Sequence, residues 1–163
     1  MITYKTGNLL ESQANILVNT VNTVGVMGKG IALQFKEKFP KMFEQYKAAC
    51  KSNELKHGGD LWWWKIQPNK KDLFTKREDK YVLCFATKEN WRKSSRIEWI
   101  ERGLQELCSY FNSDYFHEYV HHSSVAFPKL GCSNGGLEWE AQVKPLMEKY
   151  LSGLENVDIE IYE

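Results

Sequence analysis

Ile16-Leu17-Val18 is an apolar run that passes through Asn19 and Asn22 to three glycines, Gly25, Gly28 and Gly30, and the chain then turns into Ile31-Ala32-Leu33-Gln34-Phe35. A buried strand that empties through glycines into a helix start has few ways to fold. The helix must return across the strand, and the loop between them brings backbone N–H groups together at the helix N-terminus. Backbone amides and asparagine amides then converge where an anionic, hydroxylated ligand can lie, such as a sugar beside phosphates. The glycines do not follow a Walker pattern, because no Ser or Thr follows Lys29 and the spacing from Gly25 is too short. They do not follow the dinucleotide fingerprint, because Leu33 stands where its third glycine belongs.

Strands and helices alternate along the rest of the chain, which predicts α/β layers. Tyr81-Val82-Leu83-Cys84-Phe85 and Ser124-Val125-Ala126-Phe127 are apolar without alternation and read as central strands covered on both faces. Met1–Lys5 reads as a first strand and not a signal peptide, and Val157–Ile161 as a last one. Helices are expected over Gly30–Phe39, broken near Pro40, then over Lys41–Lys51. The helix over Ser95–Phe111 places Ile97, Ile100, Leu104, Leu107, Cys108 and Phe111 on one face, with Ser95 and Glu98 as a capping box. A last helix through Val143, Leu146, Met147, Tyr150 and Leu151 ends near Gly153. Gln67–Asp79, polar and basic around Pro68, reads as an extended loop.

The 163 residues make one domain, large enough to bury a core without staples. No apolar run is long enough to span a bilayer, and a cytoplasmic location is the expectation. Cys50, Cys84, Cys108 and Cys132 are far apart, without metal-ligand spacing, and read as free thiols. Between Lys65 and Arg96, ten basic residues face four acidic ones, although the whole chain carries only +1. That surplus is either a solvated face or a track for a polyanion.

Several residues are chemical candidates. Lys88 ends the strand before it, at the edge where α/β sheets bind ligands. A lysine in a partly dry pocket has a lowered pKa and is a nucleophile or an aid to a leaving group; the alternative is a phosphate contact. Asn22 offers its amide either to a ribose hydroxyl pair or to its own turn. Gly131-Cys132-Ser133-Asn134-Gly135-Gly136 follows a central strand and suggests a second backbone nest. His117-Glu118-Tyr119-Val120-His121 fits the zinc-protease pattern, but that pattern needs a helix and a third ligand. The segment opens on Asn112-Ser113-Asp114 and favours strand, so these histidines read as surface residues beside one. Trp62-Trp63-Trp64 alternates faces as a strand, leaving one ring available to stack on an unpaired base.

Four segments in order resemble the macrodomain family, and within it the DarG-type DNA ADP-ribosyl glycohydrolase antitoxins. They are Lys5–Leu10, Asn19–Gly30, Phe85–Arg92 and Leu130–Trp139. The resemblance implies a single macrodomain over residues 1–163, a three-layer α/β/α fold with a central mixed sheet. It implies release of ADP-ribose from a modified nucleobase in single-stranded DNA, opposing a DarT-type toxin, by a monomer that needs no metal or redox cofactor. Lys88 matches the family's catalytic lysine. Ligand binding is implied for Asn8, Asn22, Gly25, Val26, Met27, Gly28, Gly30, Thr87, Gly131, Cys132, Ser133, Asn134, Gly135, Gly136 and Leu137, with Asn22 on the distal ribose. Related eukaryotic-type hydrolases place an aspartate where this chain has Gly135, whereas the DarG branch also has glycine there. Asn8 stands where many macrodomains carry an adenine-binding aspartate. A non-catalytic ADP-ribose reader, or a hydrolase of a small ADP-ribose derivative, are the alternatives.

Overall fold

A computed structural model describes residues 1–69 and 78–163. The expected basic loop therefore lies largely outside the described residues, with Lys70, Lys71, Lys76 and Arg77. Six strands form one sheet: β1 (Ile2–Lys5), β2 (Ile16–Val21), β3 (Leu61–Lys65), β4 (Tyr81–Ala86), β5 (Ser123–Pro128) and β6 (Val157–Tyr162), in the order β1-β6-β5-β2-β4-β3. All neighbours are parallel except the edge pair β3 and β4, so the sheet is mixed.

The unalternating strands are buried on both faces. Ile16, Val18, Leu83, Phe85, Val125 and Phe127 belong to one core with α3 (Ile97–Phe111) and α4 (Lys144–Leu151). Leu17, Val21, Val82, Cys84 and Ala126 face the other way, against α1 (Gly30–Lys38) and α2 (Pro40–Lys51). The result is three layers, helices on sheet on helices. On α3, Ile100, Leu104, Leu107 and Phe111 are buried, each contributing about 1.5–3 kcal/mol relative to exposure. A Cβ on Gly103 would stand 2.2 Å from Phe85 Cζ, so the absence of a side chain there lets α3 lie directly on β4. Pro40 opens α2, where a missing N–H costs nothing.

Three expectations change. The capping box is not formed: α3 begins at Ile97 without a side-chain cap, and Ser95 Oγ is buried without a hydrogen-bond partner. The Ser95 backbone is drawn away to donate to the Gly135 carbonyl at 2.9 Å, which aims the chain at the loop after β5 instead of the helix end. Phe116–Val120 is a turn of π-helix, and His121 closes it at φ 65. None of the tryptophans of β3 is exposed: Trp63 packs on Tyr81 and Tyr110, and Trp64 packs on Phe39 and donates to Gln45 Oε1 at 3.0 Å.

Candidate active site in the cleft above three parallel strands

β5, β2 and β4 are adjacent and parallel, so their loops leave the sheet at one carboxyl edge. They enclose a cleft of about 810 Å³ that reaches sideways to Tyr162 at the end of β6. From β4, which leads into Lys88, to β6, which ends at Tyr162, is three sheet steps, about 14 Å. The site is thus elongated along the sheet edge, with a lysine near one end and an aromatic ring near the other.

The first wall is the loop after β2. Asn22, 7 % exposed, donates from Nδ2 to the Val26 carbonyl at 2.7 Å. Its Oδ1 accepts from the N–H groups of Val24 (3.1 Å) and Val26 (3.3 Å) and lies 3.0 Å from the Tyr46 hydroxyl. Asn22 borders the cleft, and much of its amide also closes its own loop. Gly25, at φ +81, backs onto Lys47 of α2, and Met27 is 1 % exposed beneath the loop. Neither lines the cleft; Val26, Gly28, Lys29 and Gly30 do. The first intrahelical bond of α1 runs from Leu33 to Lys29, so the N–H groups of Gly30, Ile31 and Ala32 precede it at the positive helix end.

Across from it, the loop after β5 presents Gly131, Cys132, Ser133, Asn134 and Gly135. Gly131 has φ +70, and a Cβ there would come within 2.8 Å of Leu137 Cδ1. Leu137 therefore braces the loop from behind, and its N–H donates to the Gly131 carbonyl at 3.0 Å. A Cβ on Gly135 would meet Ser95 Oγ at 2.5 Å, and Gly136, at φ +78, ends the turn outside the cleft lining. The two walls meet where a Cβ on Gly30 would stand 3.2 Å from Asn134 Nδ2. Burial pushes the Cys132 thiol pKa up, which keeps it protonated.

Lys88 bridges the walls. Thr87 is buried, and the N–H groups of Thr87 and Lys88 both donate to the Val21 carbonyl, at 3.0 and 3.3 Å. From there Lys88 Nζ reaches the Asn134 carbonyl at 2.6 Å. Burial, and then the neighbouring Lys29 ammonium, hold the Lys88 pKa below that of a free lysine.

Asn8 stands apart from the cleft lining and caps a short 3-10 turn, accepting from the Leu10 N–H at 3.1 Å. Sequence reasoning missed Trp91, Arg92, Lys129 and Tyr162, all of which line the cleft. The first two adjoin Lys88 in a segment already singled out. Tyr162 gave no signal, being one residue beyond the strand expected from alternation. The HExxH histidines lie elsewhere, and among the described residues no three His, Cys, Asp or Glu side chains converge on a possible metal position.

The Macro domain family model matches residues 18–146. A DNA ADP-ribosyl glycohydrolase of Thermus aquaticus is 39% identical over 163 residues, all of this chain and 41% of that protein. The chain thus spans about two fifths of that relative's length. The solved macrodomain of Thermus aquaticus DarG superposes with a TM-score of 0.82 at 39% identity, covering 100% of this chain and 98% of that one. Thermosipho africanus DarTG, solved in complex with ADP-ribose, gives a TM-score of 0.83 at 36% identity over 99% of this chain and 41% of that one. With its three-layer fold, its paired glycine loops and agreement along its whole length, the chain belongs to the macrodomain family.

Proposed function

We propose that this chain is an ADP-ribosyl hydrolase that releases ADP-ribose from a nucleobase of single-stranded DNA, and that it opposes a DarT-type toxin in the cytoplasm. The observation that carries this reading is Lys88, fixed between two glycine loops at the edge of three parallel strands, with burial favouring its neutral amine. The helix N-terminus at Gly30 and the N–H groups of Ser133 and Asn134 face the space for the diphosphate, while the Gly135 N–H is held by the Cys132 carbonyl at 3.2 Å. Val26 and Asn22 border the space left for the distal ribose. The neutral Lys88 amine attacks the anomeric carbon, the bond from that carbon to the base breaks, and the departing base takes up the proton that the amine nitrogen sheds as it bonds. Water then cleaves the lysine adduct, which frees ADP-ribose and restores the amine. The curated relatives named DNA ADP-ribosyl glycohydrolase support the choice of substrate.

Incubation with ADP-ribosylated single-stranded DNA and, separately, with ADP-ribosylated protein tests it: free ADP-ribose should appear from the DNA. Release from neither, with ADP-ribose still bound in calorimetry, would favour a second reading, a non-catalytic reader. The 2.6 Å bond from Lys88 to Asn134 supports that alternative, since it also suits a strut.

A further inference from the structure

Trp91 is 47 % exposed at the cleft, three residues beyond Lys88 on the same loop. A lone exposed ring needs no explanation by itself, but this one stands at the cleft beside a guanidinium. The Arg92 guanidinium carbon sits 4.7 Å from the Trp91 ring centroid, covering one face, and Arg92 itself borders the cleft. No other aromatic ring packs on Trp91 among the described residues.

The loop that carries the pair is fixed at several points. Thr23 Oγ donates to the Glu89 carbonyl at 3.0 Å, Glu89 Oε1 accepts from the Gly58 N–H at 3.2 Å, and Asn90 Oδ1 accepts from the Arg92 N–H at 2.9 Å. The platform is therefore held in place before any ligand arrives. Lys93 and Arg96, both exposed, continue the positive charge away from the cleft.

We propose that Trp91 and Arg92 form a docking platform for a nucleotide of single-stranded DNA that flanks the ADP-ribosylated base. The neighbouring base stacks on the open face of Trp91, and Arg92 pairs with the adjoining phosphate. Stacking and charge together fit a polyanion with flat bases, whereas a peptide offers no repeating phosphate for the basic residues that follow. This inference rests on the DNA-hydrolase reading for its reaction but makes its own claim about binding.

The experiment compares the wild-type chain with Trp91→Ala, Trp91→Phe and Arg92→Ala on an ADP-ribosylated oligonucleotide and an ADP-ribosylated single nucleoside, with an ADP-ribosylated peptide as a third substrate. Trp91→Ala should raise KM for the oligonucleotide roughly 5- to 100-fold, with little change on the nucleoside and ADP-ribose affinity kept within about threefold. Trp91→Phe should restore most of the loss, and Arg92→Ala should flatten the dependence of oligonucleotide KM on salt. Equal losses on oligonucleotide and nucleoside, or lost ADP-ribose affinity, would make Trp91 a wall of the ligand pocket and overturn the proposal. An equal loss on an ADP-ribosylated peptide would overturn it in favour of a protein partner. If the wild type hydrolyses none of the substrates, anisotropy with a labelled oligothymidine decides: at least fivefold weaker binding by Trp91→Ala sustains the platform, and unchanged binding removes it.

Discussion

The loop after β2 is tied from within by its own side chains, whereas the loop after β5 is shaped by the side chains it lacks. In the first, one buried amide gathers two N–H groups and a carbonyl, with the Tyr46 hydroxyl beside it. In the second, Gly131 and Gly135 approach Leu137 and Ser95 more closely than any Cβ allows. Both line the cleft, but they fail differently. Loss of one hydrogen-bonding group should loosen the first, and gain of a single methyl should deform the second.

Lys88 touches both walls, so its removal is the largest test of whether it is part of the scaffold or of the chemistry. Lys88→Ala should lower turnover on modified DNA by roughly a thousandfold while ADP-ribose affinity stays within about tenfold. Parallel loss of binding and turnover would reduce Lys88 to a strut between the loops. Asn22→Ala comes next. Leaving the N–H groups of Val24 and Val26 without their acceptor should cost about 2–3 kcal/mol in urea unfolding and weaken ADP-ribose binding more than tenfold. A variant with full affinity would mean that the loop holds its shape without the amide.

Gly135→Ala should cost about 1–2 kcal/mol by overpacking against Ser95. Ser95→Ala alone should be close to neutral, because Ser95 Oγ has no partner to lose. The double variant should recover part of the Gly135→Ala cost, and strict additivity in that cycle would show that Ser95 is not what the methyl meets. The smallest effect is electrostatic. Burial and the Lys29 ammonium both lower the Lys88 pKa, so Lys29→Gln removes one cause and lets it rise. The ascending limb of kcat/KM, which follows the neutral amine, should move to higher pH and the rate near pH 7 should fall. An unmoved limb would detach Lys29 from the chemistry.

The same contrast explains what could be read in the sequence. Apolar runs such as Tyr81–Phe85 and strand-to-glycine transitions are local signals, and they placed both walls of the cleft and Lys88 between them. The destination of a polar side chain is not local. The Asn22 amide bonds within its own turn, as one local reading allowed, but the Tyr46 hydroxyl beside it comes from α2, 24 residues on. Ser95 forgoes its cap because its backbone is bonded to Gly135, 40 residues on. For the same reason none of the rings of Trp62–Trp64 is left exposed: Trp63 and Trp64 are taken up by neighbours on α2, α3 and β4 and by Phe39 between α1 and α2.

The placement of β6 between β1 and β5 bears on how the molecule comes into being. Ile2 pairs with Ile159, so one half of the sheet joins residues at opposite ends of the sequence. Pairings of such separation carry a large loop-closure cost before they return any stability, and they place folding toward the slow end of the range for small domains. A ribosome that has delivered Lys88 and both glycine loops has made every residue of the two walls, yet β5 still has an open edge and Tyr162 does not exist. Protease resistance of stalled nascent chains should therefore appear only after residue 162 has cleared the exit tunnel. Until then the polypeptide carries the parts of the cleft without the cleft, which closes in a single late step.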